Sequence, residues 1–345
     1  MERKIETYLP AGNATAAIMI RLLIFNCLII VLCLSVLGTS ALAAKKAEND
    51  LGRPVIVASK ADTESRILGH IISEALKDAG VEVEARIGSG DTVALRQAVK
   101  TGEIDIYPEY VGLGALMYPT IEASVWKNPE EAFQTLKETD HIKNGLIWLK
   151  AAPADAGWRI AVRKDFALEH GLKGMSDFAR YVSDGGEVRL AACRQFVERA
   201  DVLPAFQRVY GFMLEPENFV MLDSCDTAKA EKLLAEAAQG VNFSMAFGTD
   251  PALKEFLLIP LDDGENSQVA YQPSPVARGE VVEALPQLKQ LLTPIFGALT
   301  SSTLRSLNAA VLYDGMSPRE AAGAYLQSHG FIKLKKMETE HETGI

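Results

Sequence analysis

Residues 88–114, GSGDTVALRQAVKTGEIDIYPEYVGLG, constrain the fold of this chain more than any other stretch. They begin with Gly88, Gly90, Asp91 and Thr92, ahead of an apolar run that has the period of an α-helix, and Gly102 ends that run. A glycine-rich opening with a capping side chain leaves backbone amide groups pointing outward at the helix start, where an anion can bind. The segment therefore predicts a ligand-binding turn followed by a helix.

The same segment continues into a second ligand-binding feature. Residues 104–107 read as a short buried strand that Pro108 interrupts, so that Glu109 and Tyr110 fall at its carboxyl end. Open α/β sheets hold their ligands at this edge. An ordinary βαβ unit, with the tyrosine as a packing residue, fits the same periodicity, and the segment alone leaves both interpretations open.

Strand and helix signals alternate along the rest of the chain, which is typical of parallel α/β architecture. We expect about 300 residues after the leader, which is enough for two lobes with separate cores. The predicted strands are 55–58, 81–87, 104–107, 145–150, 158–162, 188–192, 219–222, 243–247, 257–261 and 269–277. The predicted helices beyond the one that ends at Gly102 are 63–79, 129–139, 203–210, 227–239, 281–299, 302–312 and 318–329.

The N-terminal region is predicted to be a signal peptide covering residues 1–43. Arg21 precedes the apolar run LLIFNCLIIVLCLSVLG, and Ala41 and Ala43 supply the small residues that a signal peptidase requires. A retained membrane anchor is the alternative, and Met19 is an alternative start. Cys33 lacks a lipoprotein pattern. We therefore expect a soluble protein that is exported to the periplasm and cleaved near Ala43.

Charge and residue patterns narrow the classes of function. The formal net charge of −10 disfavours nucleic acid, because phosphate binding requires a basic surface. The five histidines are scattered without metal-ligand spacing, and no G-x-S-x-G motif occurs. The sequence therefore predicts a protein that is not an enzyme, with no catalytic residue, no metal and no cofactor.

Two of the four cysteines fall within the predicted signal peptide. The other two, Cys193 and Cys225, each follow an apolar strand-like run. In an oxidising compartment such a pair is a disulfide candidate, and two buried thiols are the alternative.

Several ordered motifs resemble the osmoprotectant substrate-binding proteins of ABC importers, those for glycine betaine, choline and carnitine. The first are SKADTESRILGHIISEALKDAGVEVE and IGSGDTVALRQAVKTGEIDIYPEYVGLG. WRIAVRKDFA, FVERADVLPAFQRVYGF, FSMAFGTDPAL with LIPLDD, and YQPSPVARGEVVEALPQL follow in order. The end, LTSSTLRSLNAAVLYDGMSPREAAGAYLQSHGF, is also similar to the closing helices of the family. The resemblance extends from about Pro54 to Phe331.

The resemblance implies a two-lobed periplasmic-binding-protein fold of type II, with parallel or mixed sheets flanked by helices and a cleft between the lobes. Lobe 1 would hold residues 54–154 and 275–345, and lobe 2 would hold residues 155–274. Crossovers near Ala154 and Ser274 would act as the hinge. The implied partners are a small quaternary amine and the permease subunits of an ABC transporter, and we expect a monomer.

The resemblance also implies an aromatic cage. A quaternary ammonium group has no N–H to donate, so a protein must offer it aromatic faces. The matching positions are Tyr110, Trp158, Phe247 and Tyr271, with Arg199 for a ligand carboxylate. Possible additional contacts are Ser59, Asp62, Gly90, Asp91 and Thr92.

Three of these positions have a structural alternative: Phe247 as core packing, Tyr271 as hinge packing, and Arg199 in an ion pair with Glu198 or Asp201. The sequence also departs from the family at Leu113, where a threonine is common. The family usually has polar residues just before the aromatic residue at this position of the cage. Here residues 155–158 read DAGW, so some of those polar side chains are absent. These departures predict a roomier or less polar pocket.

Two alternative functions use the same cleft. One is a periplasmic sensor domain that passes ligand occupancy to a membrane receptor. The other is a binding protein for an amino acid or another small cation, whose amine would donate hydrogen bonds to Glu109 or Asp62.

Overall fold

The computed structural model describes residues 51–332. The predicted signal peptide and the charged C-terminal tail lie outside these residues. Among the described helices, none combines the length and the apolar character that crossing a membrane would require.

The first of two five-stranded sheets has the strand order β2-β1-β3-β10-β4. Its strands are β1 Val55–Lys60, β2 Val83–Gly90, β3 Ile106–Tyr110, β4 Leu146–Trp148 and β10 Pro273–Arg278. β1 runs parallel to β2 and β3, whereas β10 runs antiparallel to β3 and β4.

The second sheet has the order β7-β6-β8-β5-β9. Its strands are β5 Trp158–Arg163, β6 Leu190–Cys193, β7 Phe219–Leu222, β8 Phe243–Phe247 and β9 Leu258–Pro260. β6 is parallel to β7 and β8, and β5 is antiparallel to β8 and β9. The two sheets therefore share one pattern, in which three parallel strands are followed by one antiparallel strand that arrives by a crossover.

Helices cover the sheets. They are α1 Thr63–Asp78, α2 Thr92–Thr101, α3 Gly114–Met117, α4 Pro129–Asn144, α5 Lys164–His170, α6 Met175–Ser183, α7 Arg194–Glu198, α8 Leu203–Tyr210, α9 Thr227–Ala235, α10 Pro251–Glu255, α11 Gly279–Ala284, α12 Gln287–Gly297, α13 Ser301–Leu312 and α14 Pro318–Ser328. Short 3-10 turns occur at Val111–Leu113, Val125–Lys127, Pro216–Asn218 and Ala238–Gly240.

α1 illustrates why these helices form where they do. The Asp62 carboxylate caps its start by accepting a hydrogen bond from the Ser65 amide at 2.9 Å. Apolar side chains at helical spacing, including Ile67, Leu68 and Ile71, are fully buried against the sheet. One apolar core lies around α1 and the C-terminal helices, and a second lies on the other face of the first sheet. A third core surrounds the second sheet; the parts of the chain around the first and second sheets are called the first and second halves below.

Pro108 does not end its strand, which corrects the sequence-based prediction of a strand over residues 104–107. β3 runs from Ile106 through Pro108 to Tyr110. Its pairing with β1 is confined to Ile106, and Pro108 lies opposite Pro275 of β10. Since neither proline has an N–H, this is a pair in which no hydrogen bond is required, and the strand continues.

Two predicted helices are shorter than expected. The helix predicted over residues 281–299 is divided into α11 and α12 around Pro286, and residue 285 leaves the helical region before it. The helix predicted over residues 227–239 ends at Ala235, because Ala237 and Gln239 adopt positive φ angles. A positive φ cannot continue a right-handed helix.

The chain passes between the sheets twice, between β4 and β5 and between β9 and β10. The backbones approach closely at these crossovers. A Cβ atom on Gly248 would lie 2.2 Å from the Asp155 carbonyl oxygen, and one on Gly112 would lie 2.8 Å from that of Ala270. The hinge action and the lobe boundaries at Ala154 and Ser274 remain predictions.

Candidate functional site

Strand direction places aromatic residues at equivalent edges of the two sheets. β5 begins at Trp158 and runs antiparallel to β8, so Trp158 pairs with Phe247 at the carboxyl end of β8. β10 begins at Pro273 and runs antiparallel to β3, so Pro273 pairs with Tyr110 at the carboxyl end of β3. Tyr271 immediately precedes this strand. All four predicted cage residues therefore lie at the carboxyl ends of the parallel strands, where α/β sheets bind ligands.

In the second half, Trp158 and Phe247 form a stacked pair. Their ring centroids are 3.9 Å apart with an interplanar angle of 32°. Phe196 meets the Trp158 ring edge-on at 5.5 Å. Trp158 is 7% exposed and packs in the core, whereas Phe247 is partly buried at its border. The stack fixes the orientation of both rings and so provides a rigid aromatic wall.

In the first half, Tyr110 is held between two charged residues. Its hydroxyl donates a hydrogen bond to Glu64 Oε1 at 2.6 Å. Lys60 Nζ lies 4.5 Å from the centroid of its ring and forms an ion pair with Glu109 at 2.8 Å. Burial and the neighbouring Glu64 carboxylate raise the pKa of Tyr110 well above its usual value. The phenol therefore stays neutral at physiological pH, and its ring already contacts a cation on one face.

Glu64 also connects this tyrosine to the second half. Asn308 of α13 donates from Nδ2 to Glu64 Oε2 at 2.7 Å and to the Thr249 carbonyl at 3.0 Å. Thr249 follows Phe247 by two residues. A continuous hydrogen-bonded path therefore joins the end of β3 to the end of β8.

Asp155 organises the two crossovers. Its Oδ1 accepts hydrogen bonds from the amides of Gly157, at 2.9 Å, and Tyr271, at 2.8 Å. Its Oδ2 accepts from Arg159 at 2.6 Å. The Ala156 amide in turn donates to the Tyr271 carbonyl at 3.0 Å. One carboxylate therefore holds the backbone before Trp158 against the backbone at Tyr271.

Arg199 forms the ion pair with Asp201 that the sequence left open. Its Nε and Nη2 atoms donate to the two carboxylate oxygens at 2.8 and 2.6 Å. This side chain is 40% exposed. The hydrogen bond to Asp201 raises the pKa of Arg199, and a side-chain hydrogen bond with Tyr271 adds to this effect. Arg199 therefore lies next to Tyr271, with its guanidinium already occupied by a carboxylate.

The five possible additional contacts make local hydrogen bonds or shape the loops. Ser59 is fully buried and accepts from the Gly88 amide at 3.0 Å, and Asp62 caps α1. Asp91 caps α2 by accepting from the Ala94 amide at 2.8 Å. Gly90 ends β2 and Thr92 begins α2. The Asp91 carboxylate at this helix start disfavours the anion site that the glycine-rich opening predicts.

Sequence reasoning missed Lys60, Glu64, Asn308 and the bridging role of Asp155. Lys60 and Glu64 lie within SKADTE, the first segment that carries the family resemblance, and this spacing is the signal that could have found them. Asn308 has no local signal, because its partners are 244 and 59 residues away along the chain.

The structure contains a disulfide between Cys193 and Cys225, with Cα atoms 5.1 Å apart. Cys193 ends β6, and Cys225 lies beyond the end of the neighbouring strand β7. The bond thus joins two parallel strands at the same edge of the second sheet, close to α7.

A pocket of about 480 Å³ lies beside residues of both crossovers. It is bounded mainly by Lys150–Pro153, Gln272 and the start of α4, and none of the predicted ligand contacts lines it. Within residues 51–332 there is no cluster of three or more metal-ligating side chains. The aromatic edge is therefore the candidate binding site.

The two sheets, their shared strand order and the double crossover define a periplasmic-binding-protein fold. The family model described as the substrate binding domain of ABC-type glycine betaine transport systems matches residues 53–328. The chain belongs to this family.

Named relatives agree with this assignment. The chain is 40% identical over 292 residues to the glycine betaine-binding protein YehZ of Escherichia coli, covering 85% of this chain and 96% of the relative. It is 28% identical to a glycine-betaine-binding protein of Pseudomonas aeruginosa, covering 89% and 96%. The structure of apo YehZ from E. coli superposes with a TM-score of 0.78 at 41% identity, covering 81% and 99% of the two chains.

These comparisons confirm the predicted family and fold, and they identify a substrate-binding protein of an ABC importer rather than an enzyme.

Proposed function

We propose that this protein binds glycine betaine or a closely related quaternary amine between its two halves and delivers it to the permease of an ABC importer. The observation that carries the proposal is the family match over residues 53–328, together with 40% identity to a glycine betaine-binding protein. The protein acts as an exported monomer, and its signal peptide is cleaved near Ala43.

The ligand's trimethylammonium group lies among Tyr110, Trp158, Phe247 and Tyr271. Support comes from their matching places at the strand ends and from the stacked Trp158–Phe247 pair. Each cation–π contact contributes about 0.5 to 2 kcal/mol, so several faces together give useful affinity. Closure of the halves about the crossovers brings the two aromatic pairs onto one ligand.

The ligand's carboxylate is bound by Arg199, which exchanges Asp201 for the ligand. Support comes from the exposure of this ion pair and from its contact with Tyr271. Exposed ion pairs contribute only about 0.2 to 1 kcal/mol to stability, so separating Arg199 from Asp201 costs little free energy. Lys60, whose ammonium lies beside the Tyr110 ring, is a second basic group near the site, but it is already paired with Glu109 at 2.8 Å.

A ligand series tests the proposal. Calorimetric titration and thermal unfolding are measured with glycine betaine, choline, carnitine, dimethylglycine and glycine. Quaternary amines raise the unfolding temperature, because a ligand of the folded state stabilises it by RT ln(1 + [L]/Kd). Glycine stabilises the protein much less, since a compact, strongly hydrated amine gains little from aromatic faces. Equal stabilisation by glycine and by every methylated form refutes the cage.

A further inference from the structure

Glu64 is a buried carboxylate without a cationic partner among the described residues. Burial raises the pKa of Glu64, and the hydrogen bonds that it accepts act against that rise by favouring the ionised form. Glu64 is 8% exposed. One of its carboxyl oxygens accepts a hydrogen bond from the Tyr110 hydroxyl, and the other accepts one from the side-chain amide of Asn308. A side-chain hydrogen bond from Thr249 is the third contact. All three donors are neutral, and among residues 51–332 no lysine or arginine forms an ion pair with Glu64.

The charges around Glu64 do not compensate it. Lys60 lies over the Tyr110 ring, but its ammonium forms an ion pair with the fully buried Glu109 at 2.8 Å. Asp62 and Asp250 add further negative charge next to Glu64. The carboxylates of Asp62, which is exposed, and of Asp250, which follows β8, therefore disfavour the ionised form of Glu64 rather than compensate it.

We infer that Glu64 is the counter-charge for the cationic group of the ligand and acts through the phenol of Tyr110. The inference rests on the proposed function and extends it to a residue that selects for the ligand's charge. Glu64 is thus a specificity-determining residue that need not touch the ligand.

Two physical effects support this role. A buried carboxylate without an ion-pair partner of its own is unfavourable, and an unpaired cation that arrives one ring away relieves part of that penalty. In addition, a phenol that donates a hydrogen bond to a carboxylate gains electron density in its ring, which strengthens the attraction for a cation on the ring face. A neutral group of the same shape benefits from neither effect.

The test compares two ligands that differ only in this charge. Glycine betaine has a trimethylammonium group, and 3,3-dimethylbutanoate has a neutral tert-butyl group in its place and the same carboxylate. Both are titrated calorimetrically into the wild-type protein and into Glu64→Gln, which keeps the size of the side chain and removes its charge. We expect Glu64→Gln to weaken glycine betaine by about tenfold or more, equivalent to about 1.4 kcal/mol. Binding of 3,3-dimethylbutanoate is unchanged or improves, because a negative charge near an anionic ligand has been removed.

Glu74→Gln is the matched control, since it makes the same substitution on the same helix at a carboxylate that pairs with Lys77 and Arg319. It should leave both affinities unchanged. Glu64→Asp retains the charge and should retain the preference for glycine betaine even where a shorter side chain weakens both ligands.

The outcomes separate this inference from the proposed function. If the wild-type protein binds no quaternary amine, the proposed function fails. If it binds glycine betaine but Glu64→Gln weakens both ligands equally, Glu64 has only a structural role. Should Glu64→Gln not fold, Tyr110→Phe decides, because it keeps the aromatic ring and removes the hydroxyl that donates to Glu64. A clear fall in the preference for glycine betaine over 3,3-dimethylbutanoate upholds the inference, and an unchanged preference overturns it.

Discussion

Glu231 in α9 provides a sharp test of buried electrostatics in this protein. It is 1% exposed, and both of its carboxyl oxygens lack a hydrogen-bond partner among the described residues. Burial, with smaller contributions from Asp250 and Asp226, raises the pKa of Glu231 from 4.5 to about 9. The folded protein therefore holds this side chain in its protonated form at neutral pH.

The sign of the pH dependence follows from this shift. The folded state binds the proton more tightly than the unfolded state, so the free energy of unfolding falls as pH rises from 4.5 towards 9. Each pH unit in that range costs about 1.36 kcal/mol, or about 4 kcal/mol between pH 4.5 and 7.5. Glutamine has a similar shape and never ionises. We expect Glu231→Gln to be more stable than the wild-type protein by about 2 to 4 kcal/mol at pH 7.5.

Equilibrium urea unfolding of both proteins without ligand, at half-unit steps from pH 5 to pH 8, measures this difference. It should be under about 1 kcal/mol at pH 5 and should increase steadily with pH. Burial raises the pKa of Asp250 to about 6, but Asp250 is present in both proteins and its contribution largely cancels. Glu236→Gln, an exposed substitution one residue past the same helix, should show no such trend. A difference that is independent of pH, or a Glu231→Gln protein less stable at pH 8, refutes the reasoning.

Three further predictions concern the ligand site and the disulfide. Trp158→Leu keeps an apolar side chain and removes an aromatic face, so it should weaken glycine betaine and choline alike by about 1 to 2 kcal/mol in calorimetry; unequal losses would contradict a shared cage. Arg199→Ala should weaken glycine betaine by about 1.5 to 3 kcal/mol and leave choline nearly unchanged, whereas Asp201→Asn should strengthen glycine betaine by less than about fivefold. If Arg199→Ala leaves betaine binding intact, the carboxylate is bound elsewhere. Mass spectrometry of the exported protein without reduction should show Cys193 and Cys225 joined, and replacing both with alanine should lower stability by about 2 to 4 kcal/mol; two alkylatable thiols would contradict this.

The family, the two-lobed class and most element positions could be predicted from the sequence because local signals and ordered motifs agree. Leu203–Tyr210, Phe219–Leu222 and Phe243–Phe247 begin and end where the periodicity placed them. Pro108 was misjudged because its effect depends on the partner strand, and the sequence does not show that Pro275 lies opposite. The break at Pro286 was missed because the apolar period continues across it.

The electrostatics of the site could not be predicted from the sequence. Arg199 stands two residues from Asp201, and only the structure shows that the two side chains form a bidentate pair. Glu64 occupies a helix start, where an acidic residue is expected for the helix dipole alone. Its burial against Tyr110 and Asn308 depends on contacts that bring together residues far apart in the chain.

The shared order of the two sheets explains why this fold suits a ligand without hydrogen-bond donors. In each sheet the crossover strand runs antiparallel to the parallel set, so its first residues lie beside the carboxyl end of the neighbouring strand. Each half thereby brings one aromatic residue from a strand end, Tyr110 or Phe247, together with one from a crossover, Tyr271 or Trp158. Ring orientation is then set by stacking and by hydrogen bonds within a half. In the proposed complex the ligand's cation is the group that both halves contact. In the proposed site the aromatic attraction is to charge and shape, and the role inferred for Glu64, which accepts a hydrogen bond from Tyr110, is to add selectivity for that charge.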